Sequence, residues 1–206
     1  ALNHPNIHLY KDSGVYRIDD TDYNLCVFSC FDEENWAQVV PVQGMINIAL
    51  YHGAVRGSLT DTDWTIDGEI NSSAFSKFEF ALLGDIHKRQ YLTKNKNVAY
   101  CGSTIQQNYG EDNDKGFLVW DIETAQKFRS KFYKLKNPHP FVTVDWSGST
   151  ASTLHSCENH PDKSRFRIRS SVPITQAESK RLSAELKHVK KAKEVVFQYV
   201  LDNEPN

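Results

Sequence analysis

The chain has 206 residues, 39% apolar and 24% charged, with a formal net charge of −2, the balance of an ordinary globular domain or of one medium domain with a small partner. Four Trp, nine Tyr and eleven Phe supply a core. The four cysteines form no Cys-x-x-Cys pair and no disulfide framework, and the sequence reads as having neither a signal peptide nor a bilayer-spanning apolar stretch, so a soluble, reducing compartment is expected: the cytoplasm, or the host cytoplasm for a viral protein.

In chain order, Asn3-His4-Pro5 reads as a connection ahead of a strand at 7–10. Further strands are expected at 15–18, 24–31, 46–51, 78–83, 98–101, 117–122 and 127–134, with turns such as Asp12-Ser13-Gly14 and Asp67-Gly68 between them. Short helices are expected at 33–39 and 72–77, the second opened by a Ser72 cap. Cys26 and Cys30 share one apolar run and read as buried thiols. The polar stretch 55–70 is a surface loop or lid. Its Asp61, Asp63 and Asp67 do not have the spacing of a calcium loop.

The apolar run ending at Leu83 leads into Gly84-Asp85-Ile86-His87-Lys88-Arg89-Gln90. Glycine permits a sharp turn there. If the backbone stays extended, Asp85 and His87 point the same way and Ile86 the other. A carboxylate and an imidazole converging at a strand's carboxyl end suit a divalent metal. The upstream run 46–51 ends similarly, in His52-Gly53.

Asn137-Pro138-His139-Pro140 interrupts regular structure and marks a boundary, giving portions 1–137 and 138–206. Beyond it a strand at 141–146 precedes a Ser/Gly/Thr-rich turn. Arg165-Phe166-Arg167-Ile168-Arg169 alternates, so Phe166 and Ile168 face inward and three arginines share the other face. Thr175-Gln176-Ala177-Glu178 is a capping box. The helix it opens has Ala177, Leu182, Leu186 and Val189 as its apolar stripe, and a strand at 194–201 closes a β-α-β unit. From 163 to 193 the basic residues, among them Lys180, Arg181, Lys187, Lys190 and Lys191, face only Glu178 and Glu185, a surface suited to a polyanion. His155-Ser156-Cys157-Glu158-Asn159-His160 has zinc-like composition but matches no structural zinc spacing.

His52, the Asp85-x-His87 turn, and Tyr100-Cys101-Gly102-Ser103-Thr104-Ile105-Gln106-Gln107-Asn108-Tyr109-Gly110-Glu111 followed by Lys115-Gly116-Phe117 resemble, in this order, the back half of a calcineurin-like metallophosphoesterase. The resemblance is to the SbcD-type nuclease subunit of double-strand-break repair and to phage recombination endonuclease subunits. It implies an α/β chain of the α+β kind: the back half of a phosphoesterase β-sandwich flanked by helices, followed by a small β-α-β capping domain that helps hold DNA over the metal site. It implies metal-dependent DNA exo- and endonuclease activity with two manganese ions, magnesium being the alternative. His52 and Asp85 would ligate one ion and His87 the other. Asp85 stands where the family usually has His, which shifts preference toward manganese or magnesium. DNA would contact Arg165, Arg167, Arg169, Lys180, Arg181, Lys187, Lys190 and Lys191. An SbcC-like coiled-coil ATPase is the implied partner, and a homodimer a further implied assembly.

The family's early Asp-x-His, Gly-Asp and Gly-Asn-His motifs, which carry the catalytic His, are missing. Asn3-His4-Pro5 and Asn159-His160-Pro161 have neither the preceding Gly nor the following acid. The chain begins with Ala1 and is read as a fragment starting after those motifs, inactive alone, with a central sheet edge left unpaired. Two rivals stand beside the nuclease: a phosphatase or phosphodiesterase of small molecules, and a non-catalytic DNA-binding module.

Overall fold

A computed structural model describes residues 7–200. Within them the chain is a mixed α+β protein with eleven strands in three sheets, two α-helices and two short 3-10 helices. It forms two compact units, one of residues 1–104 and 116–134, the other of 105–115 and 135–206. The chain thus enters the second unit, returns to the first and leaves again, so the single division at 137/138 is replaced by three crossings. Asn3, His4 and Pro5 lie outside the described residues.

In the first unit β1 (Gly14–Arg17), β2 (Tyr23–Phe28), β3 (Ile46–His52), β4 (Phe80–Gly84), β5 (Gln90–Tyr91) and β6 (Val98–Tyr100) make one sheet in the order β1-β2-β3-β4-β6-β5. β2, β3, β4 and β6 run parallel, and β1 and β5 pair antiparallel at the edges. Parallel strands covered on both faces need apolar residues at consecutive positions, which is why these segments read as continuous apolar runs. On one face Cys26, Ala49, Ala81, Leu83 and Tyr100 pack with Phe75 and Phe78. On the other, Phe80 meets Trp120 and Phe128 of the hairpin β7 (Gly116–Ile122) and β8 (Phe128–Lys134). That hairpin has one covered face, and its exposure alternates accordingly.

Several expectations are corrected. Residues 7–10 form no strand, and Tyr10 instead sets its ring 4.3 Å from that of Tyr16. The helices at 33–39 and 72–77 are single 3-10 segments, Glu33–Gln38 and Ser72–Phe75, and the second starts from Asn71 without a side-chain cap. Cys30 is exposed, because β2 has already ended, while Cys26 is buried. β1, which the Ile18–Thr21 turn folds back onto β2, is the outermost strand on that side of the sheet.

In the second unit β9 (Phe141–Asp145), β10 (Arg165–Ser170) and β11 (Glu194–Tyr199) form a parallel sheet in the order β11-β10-β9. Two helices connect them, α1 (Thr150–Cys157) and α2 (Gln176–Val189). α1 occupies the stretch expected to be a turn: Ser149 caps it by accepting from Ser152 N, and Thr150, Thr153 and Cys157 bury one side. The capping box of α2 forms as expected, with Thr175 and Glu178 each satisfying the other's backbone N–H. Its buried stripe is narrower than expected, since Leu182 and Leu186 are buried but Ala177 and Val189 are exposed.

The segment 105–115 belongs to this unit as a strap. Gln106 Nε2 donates to Glu111 O, and Gln106 Oε1 accepts from Phe141 N at 3.1 Å. Glu111 and Lys115 form a buried ion pair at 3.3 Å, with the carboxylate also accepting from Gln107 N and Asn108 Nδ2. Only such added hydrogen bonds make a buried pair tolerable.

Candidate metal centre

The parallel strands of the first sheet all finish at one edge, and in open α/β sheets ligands gather at the carboxyl ends of the strands. β3 finishes there in His52 and β4 in Gly84, followed by Asp85. His52 Nε2 lies 3.9 Å from Asp85 Oδ1, with both side chains open to solvent. The approach depends on Gly84, since a Cβ at that position would fall 2.7 Å from His52 Nδ1.

Asp85 has φ +91°. A non-glycine residue in that region costs roughly 1–3 kcal/mol, and such strain clusters at functional sites. It also overturns the premise that the backbone stays extended through Asp85 and His87, because β4 ends at Gly84 and the chain turns within Asp85 itself. His87 is held by the segment that follows β6. Its carbonyl accepts from Ser103 N at 3.2 Å, and Gly102, at φ +78°, packs so closely that a Cβ would lie 2.9 Å from the same oxygen. The Gly102-Ser103 pair of the sequence motif therefore locks the His87 turn.

Neighbouring groups stiffen this edge. The buried Tyr100 hydroxyl donates to Gly53 O at 2.6 Å and accepts from Val55 N at 2.9 Å, and burial pushes its pKa up to about 12. The Tyr51 ring is packed by Trp36 and Phe75. Burial, then the charges of Glu33 and Asp85, raise its pKa. Lys88 pairs with Asp63, and Arg89 lies 4.1 Å above the Phe132 ring.

Two donors on one ion can be no farther apart than twice the metal–ligand distance, or ~4.2 Å. His52 and Asp85 meet that limit and fit a manganese or magnesium ion by donor type. Among the described residues no group of three or more His, Cys, Asp or Glu side chains is gathered as a metal site. The arrangement is a pair of donors with His87 on the adjoining turn, and a closed ligand set would need further groups. The zinc-like run does not converge either. Cys157 faces the core, His155 pairs outward with Glu158, and His160 turns its ring toward Phe166, where burial and Lys190 lower its pKa.

The basic residues of the second unit fall into two sets. Arg165, Arg167 and Arg169 share one face of β10 as expected, but each is engaged. Arg165 stacks 4.9 Å over Phe141 and donates to His139 O. Arg167 stacks 5.0 Å over Tyr109 and donates to Thr143 Oγ1 and Tyr109 O. Arg169 grips Asp145 with two nitrogens, which holds that carboxyl below its usual range. Tyr109 completes the ladder, edge-on to Phe141 and donating to Glu194 at 2.9 Å. The Lys190 ammonium is bound to Asp162 and Glu158 O. Lys180, Arg181, Lys187 and Lys191 are exposed. The strap that occupies the arginine face was not foreseen; the Glu111 and Lys115 spacing within the motif was its one sequence signal.

No family model matches the sequence. The chain is similar to an uncharacterized protein, R555, of Acanthamoeba polyphaga mimivirus, 32% identical over 154 residues. The match covers 68% of this chain and 11% of that protein, so the chain spans about a tenth of the relative's length. No helix among the described residues is long and apolar enough to cross a membrane.

Proposed function

We propose that the chain supplies the rear part of the catalytic domain, and the following DNA-binding domain, of an SbcD-type metal-dependent DNA nuclease. The observation that carries this reading is the approach of His52 to Asp85 at the carboxyl edge of a parallel sheet, on a backbone strained at the ligand itself. Manganese ions bound there would activate water and stabilise charge on the phosphodiester in transit. The residues of this chain would do the rest. His52 and Asp85 would hold one ion and His87 a second, while Gly102-Ser103 keeps the His87 turn in place. Donors from outside the chain would complete the set, so the chain alone is expected to be inactive.

DNA contact is assigned to Lys180, Arg181, Lys187 and Lys191, whose heads are exposed. Arg165, Arg167, Arg169 and Lys190 would shape the surface from behind, through the bonds that already engage them. A coiled-coil ATPase of the SbcC kind, a homodimer and a cytoplasmic location, the host's for a viral protein, belong to the same proposal. The four cysteines, all free thiols, agree with a reducing compartment.

The test is manganese-dependent cleavage of linear duplex DNA by this chain and by a longer gene product reaching upstream of it. The expected result is cleavage by the longer form alone, reduced at least ~100-fold by His87→Ala, the scale of losing one essential group. A longer form that cleaves bis(p-nitrophenyl) phosphate but not DNA would replace the nuclease by a small-molecule phosphodiesterase. Salt-sensitive DNA binding without cleavage by either form would leave a DNA-binding module.

A further inference from the structure

Three of the four tryptophans are packed. Trp36 donates its indole N–H to Ser29 O at 2.8 Å and meets Phe28 and Tyr51 edge-on. Trp120 lies among Phe80, Tyr91 and Phe128, and Trp146 packs against the core of the second unit. Trp64 is 74% exposed, and among the described residues its ring has no aromatic partner and its indole N–H no acceptor.

Its loop is nevertheless firmly built. The base is closed by the Val55–Ile70 bridge and the Arg56 N→Ile70 O bond of 2.7 Å. Higher up, Leu59 bridges Thr65, and the Gln90 side chain binds both backbone groups of Leu59, at 2.9 and 2.8 Å. Thr60 fixes Trp64 itself, donating to its carbonyl at 2.9 Å and accepting from its N–H at 3.2 Å. The Asp63–Lys88 ion pair ties the tip to the residue after His87. A bonded backbone thus holds a large apolar ring in water, on a loop tied through Asp63 to the residue after His87.

We propose that Trp64 is the stacking platform for an unpaired nucleobase of the strand presented to His52, Asp85 and His87, so that the preferred substrate is a single-stranded or frayed DNA end. This rests on the nuclease reading. An indole open to solvent offers a π-face to any base, which gives binding without sequence preference. Two of the neighbouring acids that would repel the strand's phosphates are paired, Asp63 with Lys88 and Asp67 with Arg56.

The test uses this chain and hexathymidylate at low salt, read by tryptophan fluorescence and by competition. Hexathymidylate should quench the exposed indole. Trp64→Ala should weaken its binding by about 5- to 150-fold, with Trp64→Phe in between, and leave blunt duplex affinity unchanged. The Thr60 bonds to Trp64 are made by its backbone, so the loop survives both substitutions. Hexathymidylate binding that is absent, or equal in Trp64→Ala and the parent, overturns the inference. Manganese binding by the longer gene product, which would supply the remaining donors, read from loss of the free-ion electron paramagnetic resonance signal, separates the two readings. Manganese bound through His52 with no Trp64 effect sinks only the stacking. Trp64-dependent binding with no manganese bound sinks only the nuclease.

Discussion

The two ends of the first parallel sheet handle polar groups in opposite ways. At the amino end of β3, Asn47 is almost fully buried and fully bonded. Its Oδ1 accepts from Asn24 Nδ2 and Val42 N, its Nδ2 donates to Val42 O, Met45 O and Glu79 Oε2, and its backbone N–H donates to the same carboxylate at 2.7 Å. At the carboxyl end of the same strand, His52 and Asp85 approach without bonding, exposed to solvent on a strained backbone. A satisfied buried network specifies and stabilises a fold. Polar groups left to water at an edge keep lone pairs available to a ligand, and the strained backbone there costs stability. The buried network and the candidate site are thus separated along one strand by the four residues Ile48 to Tyr51.

Substitutions at the two ends should therefore part company. Asn47→Ala strips partners from several buried groups at once and should cost about 3 kcal/mol in urea unfolding. It should leave manganese binding intact, and an unchanged unfolding midpoint would dissolve the contrast. Tyr100→Phe removes the hydroxyl bridging Gly53 and Val55, at a cost of about 1–2 kcal/mol. Because that bridge stiffens the candidate metal edge, this variant should also weaken the proposed manganese binding. Asp85→Gly should do the reverse of Asn47→Ala, raising stability by about 0.5–1 kcal/mol as the positive φ is relieved while manganese binding is lost. A destabilised Asp85→Gly protein would show that the turn is not strained.

The smallest effect is expected in the second unit. His160 has a folded pKa below 6.5, lowered by burial and Lys190. The unfolded chain then binds the proton more readily, so stability is constant above about pH 6.5, falls as pH drops through the window beneath it, and levels off below the folded value. His160→Leu should flatten that part of the acid limb in urea midpoints taken every half pH unit. An unaltered limb would assign it to other groups.

The parallel strands were legible because burial on both faces forces runs such as Ile46 to Tyr51 to be apolar throughout, and the α2 start because a capping box is a local exchange of two hydrogen bonds. α1 was not legible: Ser, Thr and His dominate it, and only its packing against Leu182 and Phe166 makes Thr153 and Cys157 inward-facing. The arginine face of β10 was legible as a face. Its engagement was not, because the partners Tyr109 and Asp145 come from segments far away in sequence.

What the sequence determined by itself is local: most of the strands, the start of α2, and that His52 and Asp85 sit at strand ends. Tertiary structure decided the rest. It brought His52 within 3.9 Å of Asp85 by pairing β3 with β4 in one register, turned the backbone at Asp85 rather than continuing the strand, and drew residues 105–115 across to clamp the arginines. Each of these depends on contacts between distant residues, whose energies are set by packing and hydrogen bonding in the folded chain and leave no periodic trace in the sequence.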